Sequence, residues 1–295
     1  MELKGKLYKL FLLLPASFVL FLSGCSEKIA VLNPQGPVAK SQYNLIVWSF
    51  ALMLTVIAVV FILFTIIVIR YRERPDNMDY EPPEQEGNTL LEILWTAFPV
   101  LIVIALAIPT VKTTYALEKA PKETAHVEPV TIYVTSANWK WIFSYPEEDI
   151  ETVNYVNIPK GVPVNFKLTS LGPMNSFWVP ELGGQKYTMN GMVMDLILQA
   201  DYEGDYLGRS ANFSGEHFTD MEFTVTSQSP EDYKNWVKEV QDTAPRLTEK
   251  KFLDLIEPTV VGRQTYSSNH LLWVDQHNIE YCDYNYFKNR LNKDK

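Results

Sequence analysis

Apolar residues along this chain come first in long blocks and then in alternation. Three blocks lie before residue 112, and a polar, aromatic-rich segment follows. The first block, 10–22, comes after Lys4, Lys6 and Lys9. It is too short to cross ~30 Å of hydrocarbon as a helix, so it reads as the core of a secretory signal. The second, 45–69, holds 25 consecutive residues without a charge and ends on Arg70, Arg72 and Arg74. At ~1.5 Å per residue it is long enough to span a bilayer with some tilt. The third, 90–111, has Glu92 near its start and Pro99 and Pro109 within it. Buried helices of soluble proteins rarely run this far without a charge, and a terminal arginine cluster suits a membrane interface. The two longer blocks therefore predict a transmembrane helical hairpin.

From Val130 the apolar period becomes two. Ile132 and Val134 alternate with polar residues, as do Val162, Val164, Phe166 and Leu168, and again Met221, Phe223 and Val225. Tyr145-Pro146, Leu171-Gly172-Pro173, Leu182-Gly183-Gly184 and Ser214-Gly215 separate these runs. Short strands at that spacing predict a β-sandwich or barrel. Beyond residue 228 the pattern turns helical and charged. Ser229-Pro230-Glu231-Asp232 is a helix start, and Tyr233, Trp236, Val237 and Val240 then fall at i, i+3, i+4 and i+7. A second start at Thr248 leads into Phe252, Leu255 and Ile256. The stretch from 264 to 295 is polar and rich in Tyr and Asn, and its pattern assigns no element.

Composition narrows the chemistry. The net charge is −9 and no basic run is present, which argues against nucleic acid as a partner. Two cysteines, Cys25 and Cys282, exclude a disulfide framework and a cysteine-rich metal site. The four histidines, His126, His217, His270 and His277, show no metal-ligand spacing, so surface or hydrogen-bonding roles are expected.

The arginines at 70–74 place the loop between the two spans in the cytoplasm by the positive-inside rule. Everything after Lys112 then lies outside. The apolar block ending Leu22-Ser23-Gly24-Cys25 resembles the lipobox of bacterial lipoproteins. That resemblance implies a diacylglycerol on Cys25, which would become the first residue of the mature chain, and it places Cys25 outside too. Two acyl chains would attach stably where one binds only marginally. The resulting organisation is a signal peptide at 1–24, an external linker at 25–43, spans at 44–70 and 90–112 joined by a cytoplasmic loop at 71–89, an external domain at 113–228 and a helical extension and tail at 229–295.

Three motifs then point to a family. Leu91-Glu92-Ile93-Leu94-Trp95-Thr96 with Pro99 resembles the second helix of subunit II of the haem–copper respiratory oxidases. Trp139-Lys140-Trp141-Ile142-Phe143 with Tyr145-Pro146-Glu147 is similar to the aromatic stretch opening that subunit's external domain. Ser176-Phe177-Trp178-Val179-Pro180-Glu181-Leu182-Gly183-Gly184 resembles the strand and turn before its copper loop. The resemblance covers about residues 25 to 228 and implies that the external all-β domain is a cupredoxin-like sandwich.

In family members that oxidise cytochrome c, the loop reads Cys-x-Glu-x-Cys-Gly-x-x-His-x-x-Met, with a further His just before Ser-Phe-Trp. Those side chains hold a dinuclear copper centre, which needs thiolates and imidazoles. Aligned on Gly215 and Met221, this chain has Ser210, Asn212, Ser214 and Phe218 at the Cys, Glu, Cys and His positions, and Asn175 at the earlier His. Only Met221 remains, and His217 stands one residue from the ligand slot. The resemblance is thus to the quinol-oxidising branch. It implies a subunit of a proton-pumping quinol:oxygen oxidoreductase with no cofactor or metal of its own. Haem, copper and the quinol site would belong to a large partner subunit I, accompanied by further small membrane subunits.

The resemblance also implies roles for single residues. Glu92 would stand at the entrance of a proton route into subunit I, at the cytoplasmic mouth. Thr89-Leu90-Leu91-Glu92 equally fits a capping box in which Glu92 reaches back to the Thr89 N–H. Both roles stay open at the level of sequence. Trp139 and Trp141 have no copper to serve and are expected to pack or to contact subunit I. Two rival readings are a cytochrome c-type oxidase subunit with a degenerate copper site and a lipoprotein whose sandwich is purely structural or binds a small ligand.

Overall fold

The computed structural model describes residues 29–72 and 87–272. The lipobox and Cys25, Arg74, His277 and Cys282 lie outside the described residues.

Helix α1 spans Pro37–Tyr71 and helix α2 spans Thr89–Ala116. Both present apolar side chains all round and bury none of their central turns, as expected of helices whose surroundings are lipid or a partner. Helix α1 begins earlier than the apolar block alone predicts. Gly36 caps it and Pro37, with its preset φ, is the first helical residue. Its 35 residues extend about 52 Å at ~1.5 Å each, well beyond a ~30 Å hydrocarbon core. The surplus at the N-terminal end packs on the β-domain, where Val38 and Ala39 are buried.

Eleven described strands form two packed sheets. They are β1 Val130–Ala137, β2 Lys140–Tyr145, β3 Ile150–Val153, β4 Tyr155–Pro159, β5 Val164–Ser170, β6 Asn175–Trp178, β7 Lys186–Thr188, β8 Met194–Leu198, β9 Gly204–Ser210, β10 Glu222–Gln228 and β11 Gln264–Tyr266. One sheet has the order β11-β3-β2-β1-β5-β8 and the other β4-β10-β9-β6-β7. Pairing is antiparallel except for β1 with β5 and β4 with β10. The alternation read from sequence sets the faces: Ile132, Val134, Val164, Phe166, Leu168, Phe223 and Val225 all point into the space between the sheets. An aromatic cluster fills its centre, with Phe177 and Phe223 stacked at 4.9 Å and Trp141 edge-on to Phe177 at 5.4 Å.

Strand β2 is buried on both faces, which an ordinary sandwich strand is not. The helical extension explains this. Helices α3 (Pro230–Thr243) and α4 (Glu249–Ile256) start where Ser229 and Thr248 accept backbone N–H bonds from Asp232 and Lys251. Phe252, Leu253, Leu255 and Ile256 then form a second core with Ala137, Ile142, Val153 and Leu171 on the sheet's outer face. The polar stretch beginning at residue 264 supplies β11, which pairs with β3. Just beyond it, His270 Nδ1 lies 2.6 Å from Glu151 Oε2, with both side chains buried. Ser144 Oγ donates to the same carboxylate oxygen at 2.9 Å, and the His270 ring stacks on Phe252. The extension is therefore fastened to the sandwich by an apolar layer, an edge strand and a buried polar pair.

Candidate functional site

The N-terminus of α2 carries Glu92. Its cap is Asn88, whose Oδ1 accepts from the N–H groups of Leu90 (3.1 Å) and Leu91 (3.3 Å). Thr89 is thus the first helical residue, and the capping box expected between Thr89 and Glu92 does not form. Asn precedes Thr in the chain and is the stronger cap, so the helix starts one residue earlier. Glu92 is displaced to the fourth helical position, where its N–H donates to the Asn88 carbonyl at 3.0 Å. Its carboxylate folds back over Gly87: a Cβ added there would sit 3.1 Å from Oε1. Freed from capping, the carboxylate is exposed at the positive end of the helix dipole. Trp95 lies one turn further along the same face and is 63% exposed.

The second region is the end of β9 and the loop that leads from it to β10, with the start of β6. Asn175 and Ser210 lie side by side, with Ser210 Oγ 3.1 Å from Asn175 Oδ1 and 3.2 Å from the Asn212 carbonyl, its one proton shared between them. Asn175 Nδ2 donates to the Pro173 carbonyl and Asn212 Nδ2 to the Met174 carbonyl. Ser214 Oγ points at Met221 Sδ, 3.6 Å away. Phe218 turns to Phe213 instead, with ring centroids 5.7 Å apart. The positions aligned with a dinuclear copper centre thus converge, but as hydroxyls, carboxamides and one thioether. That donor set offers no thiolate and no imidazole, and it does not fit copper. Nearby His217 is held by Asp220 at 3.0 Å and lies edge-on to Trp139 at 4.9 Å. Among the described residues no cluster of three or more His, Cys, Asp or Glu could hold a metal ion.

The two tryptophans differ. Trp141 is fully buried, and its indole N–H donates to the Met221 carbonyl at 3.3 Å, tying β2 to the loop. Trp139 sits in the tight turn between β1 and β2 with φ 65°, a strained conformation for a bulky residue. Gly215 takes φ 116°, a conformation that favours glycine, where the loop lies against the Trp139 ring; a Cβ there would only touch the ring, at 3.4 Å. The Trp139 indole nitrogen is buried with no hydrogen-bond partner among the described residues.

Between them, Lys140 points the other way, as strand alternation requires. Its Nζ donates to the Leu255 and Glu257 carbonyls, each at 2.7 Å, and so closes the C-terminus of α4. Burial pulls its pKa down from 10.5 to about 8, and the nearby Glu257 carboxylate opposes that shift. In the Trp139-Lys140-Trp141 motif the tryptophans stand out by residue type, yet it is the lysine that fastens α4. A lysine flanked by two tryptophans is the available signal.

The Pro180-to-Gly184 turn is the joint between hairpin and sandwich. The Glu181 carbonyl accepts from Gln35 N–H at 2.8 Å, and the Leu182 carbonyl from Ala39 N–H at 3.1 Å. The latter satisfies one of the orphan donors of the first turn of α1. Glu181 Oε1 also accepts from Asn33 Nδ2 at 2.8 Å. Gly183 lets the surfaces meet closely: a Cβ there would come 2.5 Å from a Leu198 methyl and 3.0 Å from Val38, and those side chains would have to shift.

Comparison with known proteins places this arrangement. The family model described as the transmembrane domain of cytochrome c oxidase subunit II matches residues 33–113. A quinol oxidase subunit 2 of Bacillus cereus is 70% identical over 290 residues, 98% of this chain and 100% of that protein. The chain belongs to the quinol oxidase subunit 2 family. The Bacillus subtilis quinol oxidase subunit 2 is 54% identical over 259 residues, covering 87% of this chain and 80% of its own. Among solved structures, the periplasmic domain of subunit II of cytochrome oxidase of Bradyrhizobium japonicum is matched with 18% identity and a TM-score of 0.36, over 37% of this chain and 91% of that one. As a quinol oxidase subunit 2 family member, the chain joins a helical hairpin long and apolar enough to cross a membrane to a two-sheet β-sandwich. Its remodelled loop is a feature of a member of this family, and the same loop argues against a cytochrome c-type subunit.

Proposed function

We propose that this chain is the non-catalytic second subunit of a membrane-bound, proton-translocating quinol:oxygen oxidoreductase, in which two quinols and one O2 give two quinones and two waters. A large haem-bearing subunit I would hold haem, copper and quinol, with further small membrane subunits and lipid around it. This chain contributes scaffold and docking surface. The observation that carries the reading is the hydrogen-bonded Asn175–Ser210–Asn212 loop, whose side chains cannot bind copper or relay electrons, in a chain 70% identical to a quinol oxidase subunit.

Two finer roles follow from the same reading. Glu92 receives protons on the cytoplasmic side for subunit I, supported by its exposure at a helix N-terminus and by its release from capping. Cys25 carries a lipid that attaches the external N-terminus to the membrane. Trp141 packs the core, while Trp139, half-buried beside His217, packs against the loop and leaves part of its surface for a contact to another subunit.

The test is purification of the full chain from membranes through a C-terminal tag. A haem-bearing large subunit recovered with it, together with quinol-driven oxygen consumption, is the expected result. A haem-free preparation of the chain alone would leave a structural lipoprotein in its place.

A further inference from the structure

Where the N-terminal segment, the start of α1 and the Pro180-to-Gly184 turn meet, they leave an open groove of about 590 Å³. Val31, Leu45, Ile46, Trp178 and Pro180 line it, with Gln42 among them. Leu45 and Ile46 are the first residues of the apolar block, so the groove opens where α1 enters hydrocarbon. One wall, Val31, belongs to the segment that leads back to Cys25.

That segment is fixed in place. Asn33 bonds the Glu181 carboxylate, Gln35 N–H donates to the Glu181 carbonyl, and Asp201 N–H donates to the Gln35 carbonyl. Gly36 lies so close to the sandwich that a Cβ would fall 1.9 Å from the Gln199 carbonyl oxygen. Ile29 and Leu32, on this segment, are 65% and 47% exposed. Three residues, Ser26 to Lys28, separate Ile29 from Cys25, four Cα steps with a reach of at most about 14 Å.

We infer that an acyl chain of the lipid on Cys25 lies in this groove, between the N-terminal segment, α1 and the sandwich. The inference rests on the reading that Cys25 is lipidated, and it goes further: the lipid is a wedge at the joint as well as an anchor. Tethering favours this occupant over free phospholipid, because a short linker holds the chain at high effective concentration beside an apolar surface. The second acyl chain remains in the bilayer.

The experiment uses cells grown with a diazirine-bearing palmitate and the intact complex purified through this chain. Mass spectrometry of the chain before irradiation reports the lipid on Cys25. After irradiation and digestion, the expected product joins the Cys25 lipid to residues 45–46 or 178–180. A lipidated chain whose cross-links fall only elsewhere, or whose groove residues join free phospholipid instead, overturns the inference and leaves the lipidation standing. A chain with no lipid mass removes the lipidation reading and the inference with it.

Discussion

Ser210 Oγ and Asn175 Oδ1, 3.1 Å apart and both buried, join the last residue of β9 to the first residue of β6. They occupy two positions aligned with a Cys and a His of the copper-bearing relatives, so a hydrogen bond now closes the loop where a metal would. Removing the Ser210 hydroxyl strands a buried amide oxygen, which costs on the order of 1–2 kcal/mol. Ser210→Ala should lower the unfolding free energy of the full chain by that amount, seen as a lower denaturation midpoint, and leave quinol-driven turnover of the assembled complex unchanged. An unaltered midpoint would mean that the loop holds its shape by other contacts.

How much of this was readable in advance depended on periodicity. The strands around Val134, Phe166 and Phe223 face inward as their alternation requires, and α3 and α4 begin at Ser229 and Thr248. The copper positions could be aligned because Gly215 and Met221 fix the register. What escaped was set by tertiary neighbours. Strand β11 has three residues, too few for a period to show, and exists because β3 offers an open edge. Lys140 looks like a surface charge until α4 covers it. The start of α1 lies before the apolar block because Val38 and Ala39 are buried by the sandwich, which hydropathy along one segment does not reveal. The cap of α2 went to Asn88 because two adjacent residues could each serve and the stronger acceptor prevailed.

Lys140 should make stability depend on pH. Its folded pKa of about 8 lies below the ordinary 10.5, so above pH 8 the unfolded chain keeps a proton that the folded chain has released. Stability therefore rises with pH through this window, and the penalty for burying the ammonium is fully present below it. Burial holds the buried tyrosines Tyr145 and Tyr233 above the ordinary 10.0, an effect of opposite sign that begins only near pH 10. Between pH 8 and 10 the gain should be on the order of 2 kcal/mol. Denaturant unfolding of the full chain at several pH values, compared with Lys140→Met, isolates it: the slope should vanish in the variant. Equal slopes would place Lys140 in a wetter site than the structure gives it.

The joint between hairpin and sandwich should tolerate no side chain at Gly36. Its Cβ would fall 1.9 Å from the Gln199 carbonyl oxygen, a backbone atom that no rotamer change can move. Gly36→Ala should release the start of α1 from the Pro180-to-Gly184 turn, at a cost of about 2 kcal/mol or more. Limited proteolysis of the complex would show it as faster cleavage between residues 29 and 40. Unchanged cleavage would argue that the segment is held only loosely.

Capping and proton uptake can now be separated at the start of α2. Asn88→Ala removes the cap and should cost about 1 kcal/mol of stability with little effect on turnover. Glu92→Gln keeps the side-chain shape and the cap but removes the charge. It should lower turnover and proton uptake of the intact complex several-fold, at a stability cost of no more than about 1 kcal/mol from the lost dipole interaction. If Glu92→Gln turns over normally while Asn88→Ala does not, the site is structural and the proton role falls.

The central claim is that electrons reach the complex from quinol and never through the external domain of this chain. Oxygen consumption by the complex purified through a tag on this chain, driven in parallel by a reduced quinol and by reduced cytochrome c, tests it most directly. Rapid uptake with quinol and none above background with cytochrome c is the predicted result. Comparable uptake with cytochrome c would contradict it, and would require an electron route past the Asn175–Ser210 loop that these side chains do not provide.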